Sequence, residues 1–266
     1  MKLKMPEKPN ISRRTATAII IAVTSAVLLG FIIFGIINLG HVGSIRVEGE
    51  SHYSDELIIE LSGIKVGDKV SSLDLRRIEE NIVLGAPRIK SARIDPGLFG
   101  DLAIRVEPEV PRYYMALSTG EYFLVSDGFR IIDMSPDPEE YEKMGVIRLT
   151  LPEVSSAMVG DYIEYKGKNE EEREANRDRA RSFIAKIEEL CGDYVTAVGF
   201  EDIYTGVYVV LEGKYKIELG NMNDTERKIE AALETIKAHG EEKGCAVVNA
   251  ADYSEIYYKS VENIEY

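Results

Sequence analysis

The chain has no tryptophan, two cysteines, three histidines and nine prolines among its 266 residues. Two cysteines cannot build a disulfide-rich scaffold, and no Cys/His spacing suits a structural zinc. The histidines, His41, His52 and His239, form no HExxH pair. Also missing are a G-x-S-x-G elbow, an S-x-x-K pair and a phosphate-binding loop. Carboxylates abound, yet abundance alone does not single out a general acid and base. The run Glu170–Glu174 reads as a solvated helix start, and His52 beside Tyr53 as a surface residue. The expectation is a protein that binds rather than turns over, with no cofactor and no metal. Basic residues are also scarce: 32 Lys and Arg face 46 Asp and Glu, a net charge of -14. Phosphate contacts need clustered Lys and Arg, so nucleic acid is a poor partner.

Charge is absent altogether between Thr15 and Ile45. The core of that gap, Ala16–Leu39, is apolar over 24 residues. At 1.5 Å per residue such a helix is ~36 Å long, enough to cross a hydrocarbon layer of ~30 Å. A cleaved signal peptide has an apolar core of only ~7–15 residues and a small-x-small site, which this stretch lacks. Residues 1–40 carry five basic residues, Lys2, Lys4, Lys8, Arg13 and Arg14, against Glu7, a net of +4. Residues 41–266 carry 27 basic and 45 acidic residues, a net of -18. The positive-inside rule therefore puts residues 1–15 in the cytoplasm, a membrane helix at 16–39, and the large acidic portion outside. Gly30 and Gly35 are five apart and do not make a G-x-x-x-G helix-packing motif. In an extracytoplasmic compartment Cys191 and Cys245 could pair; the default reading is two small buried thiols.

The outer portion reads as α+β. Residues 44–108 predict a βααββ unit. Ser44–Glu48 alternates as a strand, and Ser54 caps a helix with Leu57, Ile58, Leu61 and Ile64 on one face. A second helix is expected from Ser71, with Asp74 closing a capping box and Leu75, Ile78 and Ile82 inward; Gly85 and Pro87 end it. Strands follow at 88–94 and 102–107 around the turn Asp95–Asp101. From Pro111 onward strands dominate. Gly120–Val125 and Phe129–Ile132 flank the hairpin signal Ser126-Asp-Gly128, and 146–149 is another strand. Asn169–Leu190 is a charged helix with Phe183, Ile184, Ile187 and Leu190 as its buried stripe. Strands at 194–200, 206–211 and 214–219 precede a helix with Asn223 as N-cap, Glu226 as its box partner, and Ile229, Ala232, Leu233 and Ile236 inward. The last strands are 246–249 and 255–261.

The carboxyl end concentrates tyrosine. Tyr253, Tyr257, Tyr258 and Tyr266 fall within the last 14 residues of a chain with 15 in all. Tyrosine offers large amphipathic area at low entropic cost. A last strand is a natural sheet edge, which can accept a partner's strand through backbone hydrogen bonds. Alternation sends Tyr257 and Tyr258 to opposite faces, so at most one packs into the domain's own core. A second candidate is the local basic bias of Arg46, Lys65, Lys69, Arg76, Arg77, Arg88, Lys90 and Arg93, most of which read as solvated surface.

One ordered series spans some 210 residues. It begins with Ile45-Arg-Val-Glu-Gly49, Tyr53-Ser54, Gly63-Ile-x-x-Gly67, Leu73 and Leu75. It continues with Pro87–Ile94, Leu102-Ala-Ile-Arg-Val-Glu-Pro108 and Pro111, then Tyr122–Gly128 and Glu218-Leu-Gly220. Together with the basic tail and the lone apolar span, it resembles the FtsQ/DivIB family of bacterial cell-division proteins. The turn Asp95–Asp101 is longer and richer in glycine than that family's usual connection, and Asn249 stands where it often has Asp. The resemblance implies a POTRA module at 42–109 and a β domain at 110–266. It implies a bitopic divisome scaffold, enriched at the septum, that links FtsL-like and FtsB/DivIC-like partners and helps regulate septal peptidoglycan synthesis. It also implies that the last strands dock the FtsB/DivIC-type partner, with Tyr253, Glu255, Ile256, Tyr257, Tyr258 and Lys259 as the site. No small-molecule substrate is expected. Two rivals remain: a membrane-anchored POTRA chaperone or transport accessory that captures extended polypeptides, and a cell-wall enzyme. Tandem POTRA repeats before a membrane barrel would favour the former, and the sequence has neither.

Overall fold

A computed structural model describes residues 13–38, 40–97, 100–116, 120–151, 158–165, 167–201, 205–239 and 244–266. The tail residues Lys2, Lys4 and Lys8, Leu39 of the expected span, and residues 98–99 of the expected turn lie outside them. Helix α1 spans Arg13–Asn38. From Ile19 to Ile33 its large apolar side chains are exposed, Phe31 being 70% exposed, as a helix surrounded by lipid requires. Two of its hydroxyls are satisfied within the helix: Thr17 Oγ1 donates to the Arg13 carbonyl at 2.9 Å and Thr24 Oγ1 to the Ile20 carbonyl at 2.8 Å.

Two compact units follow from the contact pattern, the first comprising residues 1–83 with 91–107. After α1 it holds β1 (Ser44–Glu48), α2 (Asp55–Ser62), and most of α3 (Leu75–Gly85), of β2 (Ile89–Pro96) and of β3 (Asp101–Pro108). The sheet order is β1-β3-β2, with β1 parallel to β3. Ser54 Oγ accepts from the Leu57 N–H at 3.3 Å, the expected cap. Gly49, at φ +112°, must be glycine, because a Cβ there would run into the Val106 carbonyl. Ile58, Ile64, Ile82, Ile94, Leu102 and Ile104 are buried. The second helix starts later than its sequence suggested. Ser71 sits in a 3-10 turn, Val70–Ser72, and Leu73 is extended. Asp74 is the cap rather than the box partner, its Oδ1 accepting from the Arg77 N–H at 3.3 Å.

The second unit comprises residues 84–90 with 108–266. Its strands are β4 (Pro111–Ala116), β5 (Tyr122–Ser126), β6 (Ile131–Ser135), β7 (Ile147–Thr150), β8 (Val195–Gly199), β9 (Val207–Leu211), β10 (Tyr215–Gly220), β11 (Cys245–Asn249) and β12 (Tyr257–Val261). Among the described residues they form one nine-stranded mixed sheet, ordered β12-β11-β10-β9-β8-β7-β4-β5-β6. Each parallel pair, β4·β7, β7·β8 and β10·β11, needs a crossover. The helices α4 (Pro138–Glu142), α5 (Glu170–Cys191) and α6 (Thr225–His239) lie in connections between strands, α5 and α6 in the crossovers β7–β8 and β10–β11. The main core joins Phe183, Ile184 and Ile187 of α5 and Ile229 and Ala232 of α6 to Val198, Val209, Ile217 and Val248 of the sheet. The opposite face is covered in part: Tyr114, Leu124 and Ile132 pack with Tyr141 of α4, and Ala197, Tyr208 and Val210 with Ile264. A sheet buried on both faces reads as continuous apolar sequence, which is why β9 is Val-Tyr-Val-Val-Leu.

Asn169, expected as the first residue of a helix, caps α5, its Oδ1 accepting from Glu172 N at 2.8 Å. Asn223 does not cap α6. Its N–H donates to Asn221 Oδ1 at 2.9 Å, and the helix begins at Thr225. The competing partner is Lys228, whose buried ammonium donates to the carbonyls of Leu219 (2.8 Å) and Asn221 (3.2 Å) and to Asn221 Oδ1 (2.9 Å). Burial draws that ammonium's pKa below the usual lysine value. Glu226 instead reaches Lys186 of α5 at 3.7 Å. Cys191 and Cys245 are free thiols, the first buried and the second half-buried. Burial pushes the Cys191 thiol up to about 11.

Candidate partner-binding edge

Strand β12 is one end of the large sheet, antiparallel to β11 from Cys245↔Val261 to Asn249↔Tyr257. No described strand pairs with its other side. The alternation expected of Tyr257 and Tyr258 is present. Tyr257 is 60% exposed. Its hydroxyl donates to Glu255 Oε1 at 2.6 Å, and that bond holds the phenol above its ordinary pKa. Tyr258 turns to the helical face, where its ring stacks on His239 at the end of α6, centroids 4.3 Å apart and planes 9° from parallel. Ile256 packs on the same core. Of the six residues expected in the site, Ile256 and Tyr258 thus anchor the strand, while Tyr253, Glu255, Tyr257 and Lys259 are exposed.

The loop before β12 is closed by Asp252. Its Oδ1 accepts from the hydroxyl and the amide of Ser254 at 2.6 and 2.9 Å, which lowers the carboxyl's pKa. Tyr253 lies under the guanidinium of Arg227, 5.7 Å from its ring centroid. Register also builds a row that no local pattern in the sequence reveals. On the face away from α5 and α6, Tyr257 is followed across the strands by Asn249, Glu218 and Tyr208. Asn249 Nδ2 donates to Glu218 Oε2 at 3.4 Å.

The other end of the sheet is covered in part. The segment 160–163 lies along the start of β6. Ile131 N donates to Asp161 O, and Gly160 N to Ile131 O, both at 2.8 Å; Ile163 N donates to Phe129 O at 2.9 Å. Arg130 secures that cover: its Nε donates to Gly160 O at 2.9 Å and its Nη1 to Ile89 O at 2.8 Å, with Glu109 at 3.7 Å. Farther along, Asp133 pairs with Arg88 and accepts from the Met134 amide at 2.9 Å. An edge carrying a charged side chain and partly covered by a loop resists strand addition.

Several of the basic residues expected to form a local cluster are paired with acids. Glu48 takes Arg46 at 2.8 Å and Arg105 at 3.0 Å, and Asp95 takes Arg105 at 2.9 Å and Arg93 at 3.3 Å. Hydrogen bonds from Arg46 and then Arg105 hold the Glu48 carboxyl below its ordinary pKa. Arg76 pairs with Glu80 at 3.2 Å. Lys65, Lys69, Arg77 and Lys90 are exposed.

Among the described residues, the chain combines one helix long and apolar enough to cross a membrane, a three-stranded module with two helices, and a large mixed sheet. Residues 41–107 match the family model for the POTRA domain, FtsQ-type. That match supports an FtsQ/DivIB-family protein, a cell-division POTRA protein. A search of curated proteins finds no match.

Proposed function

We propose that this chain is a bitopic, non-enzymatic scaffold of the division machinery. Its basic amino end lies in the cytoplasm and its acidic modules outside. It links FtsL-like and FtsB/DivIC-like partners at the septum and, through them, helps regulate septal peptidoglycan synthesis. Placement is the mechanism: tethering one partner raises the effective concentration of the next. The observation that carries the reading is the contrast between the two ends of the nine-stranded sheet. The start of β6 is hydrogen-bonded to residues 160–163, and β12 has a strand on one side alone among the described residues. An extended partner segment fits the β12 edge by strand addition, with Tyr257 and Lys259 beside it. The charge asymmetry across α1 supports the orientation. A fluorescent fusion to the amino end, imaged in dividing cells, is expected to form a band at the division site. Uniform labelling of the whole cell periphery would contradict the assignment.

A further inference from the structure

The segment after β12 does not continue the strand. Glu262–Tyr266 turns back over the face of the sheet opposite α5 and α6. Lys216 Nζ, on β10, donates to the Glu265 carbonyl at 2.7 Å. Ile264 packs on Tyr208 and Val210 of β9 and Ala197 of β8. The guanidinium of Arg148, on β7, lies 4.3 Å from the centroid of the Tyr266 ring. Five residues thus reach across four strands, starting from the edge strand itself. Their seat is prepared in the sequence. Gly199 pairs with Tyr208, and a Cβ at Gly199 would run into the Tyr208 ring, so only glycine leaves the ring its place on β8. Lys216 Nζ stands 4.4 Å from the centroid of the same ring.

We propose that Glu262–Tyr266 is a strap that keeps β12 in register and so maintains the docking edge. The functional half of this statement rests on the reading of β12 given above. β12 is five residues long and has one strand neighbour among the described residues, the situation in which a strand opens locally at low cost. Tyr258 and the His239 ring fix it on the helical face. The strap fixes it on the other face, because its anchors on β7 to β10 can be reached only with β12 seated. A partner strand then meets an edge that is already ordered, which reduces the entropic cost of binding. The anchors are themselves shallow: Ile264 is half-buried and Tyr266 exposed. The strap is therefore a releasable element rather than part of the core.

Hydrogen exchange on the full chain in lipid nanodiscs tests this directly. In the double variant Ile264→Asp, Tyr266→Ala, the β12 amides are expected to exchange about tenfold faster or more, with α5 unchanged. Arg148→Ala, which removes one anchor alone, is expected to give a smaller increase of the same sign. Capture of a co-expressed FtsB/DivIC-type partner should fall in the same order. Unchanged β12 exchange in the double variant overturns the strap, whether or not a partner binds. Faster exchange in a chain whose wild type captures no partner upholds the strap and removes the docking reading instead.

Discussion

A proline at the outward-facing position of β12 is expected to abolish partner capture while leaving the fold in place. Successive amides along a strand point to opposite sides, so of Tyr257 and Tyr258 one donates toward β11 and the other outward. Proline at the outward position removes a donor that an added partner strand would use and puts its ring where that strand must lie. Proline at the inward position damages the β11 pairing itself. The two variants, Tyr257→Pro and Tyr258→Pro, should therefore separate. One keeps the wild-type melting temperature and loses at least about 100-fold in affinity, roughly 3 kcal/mol. The other is destabilised, more so if it is Tyr258, whose stacking on His239 is lost as well. Pull-down of a co-expressed FtsB/DivIC-type partner, run beside a thermal melt, makes the comparison. Undiminished capture by both variants would exclude strand addition at this edge.

The second large effect concerns the partly covered β6 end of the sheet. Arg130 and Glu109 are 3% and 5% exposed, and Arg130 supplies donors to the Gly160 and Ile89 carbonyls. Removing one member of a buried ion pair leaves an uncompensated charge, which typically costs about 3–5 kcal/mol. Arg130→Met is expected to destabilise the second unit by that amount in denaturant unfolding, and Glu109→Gln placed beside it to restore part of the loss. Full restoration is not expected, because the two carbonyls still lack their donor. A cost below about 1 kcal/mol for Arg130→Met would show that the pair does not hold this end together.

Local signals were the ones the sequence displayed. The stripe Phe183, Ile184, Ile187 marks the buried face of α5, Ser54 caps α2, and Ser126-Asp-Gly128 turns the β5–β6 hairpin. Where two nearby polar groups competed, sequence spacing chose wrongly. Ser71 lost to Asp74 as the cap of α3, and Asn223 gave way to a loop organised around Lys228. β4 escaped separate recognition because Tyr113, Tyr114 and Met115 are all buried, which erases the alternation that marks a half-exposed strand. The short α4 went unseen, although Asp137 before Pro138 is a cap signal. For the candidate site, the edge position of β12 and the opposite facing of Tyr257 and Tyr258 were legible. The cover over β6 and the path of residues 262–266 were not, since both depend on which distant strands become neighbours.

The central claim is that partners meet this protein at the β12 edge and not at β6. The most direct measurement places the photoreactive residue benzoylphenylalanine at position 257, and separately at 134, in the full chain in living cells. Met134 is a fair control, being 45% exposed on the opposite edge strand. Irradiation is expected to join position 257 to an FtsB/DivIC-type partner and to give no such adduct from position 134. Crosslinking from 134 with none from 257 would contradict the account.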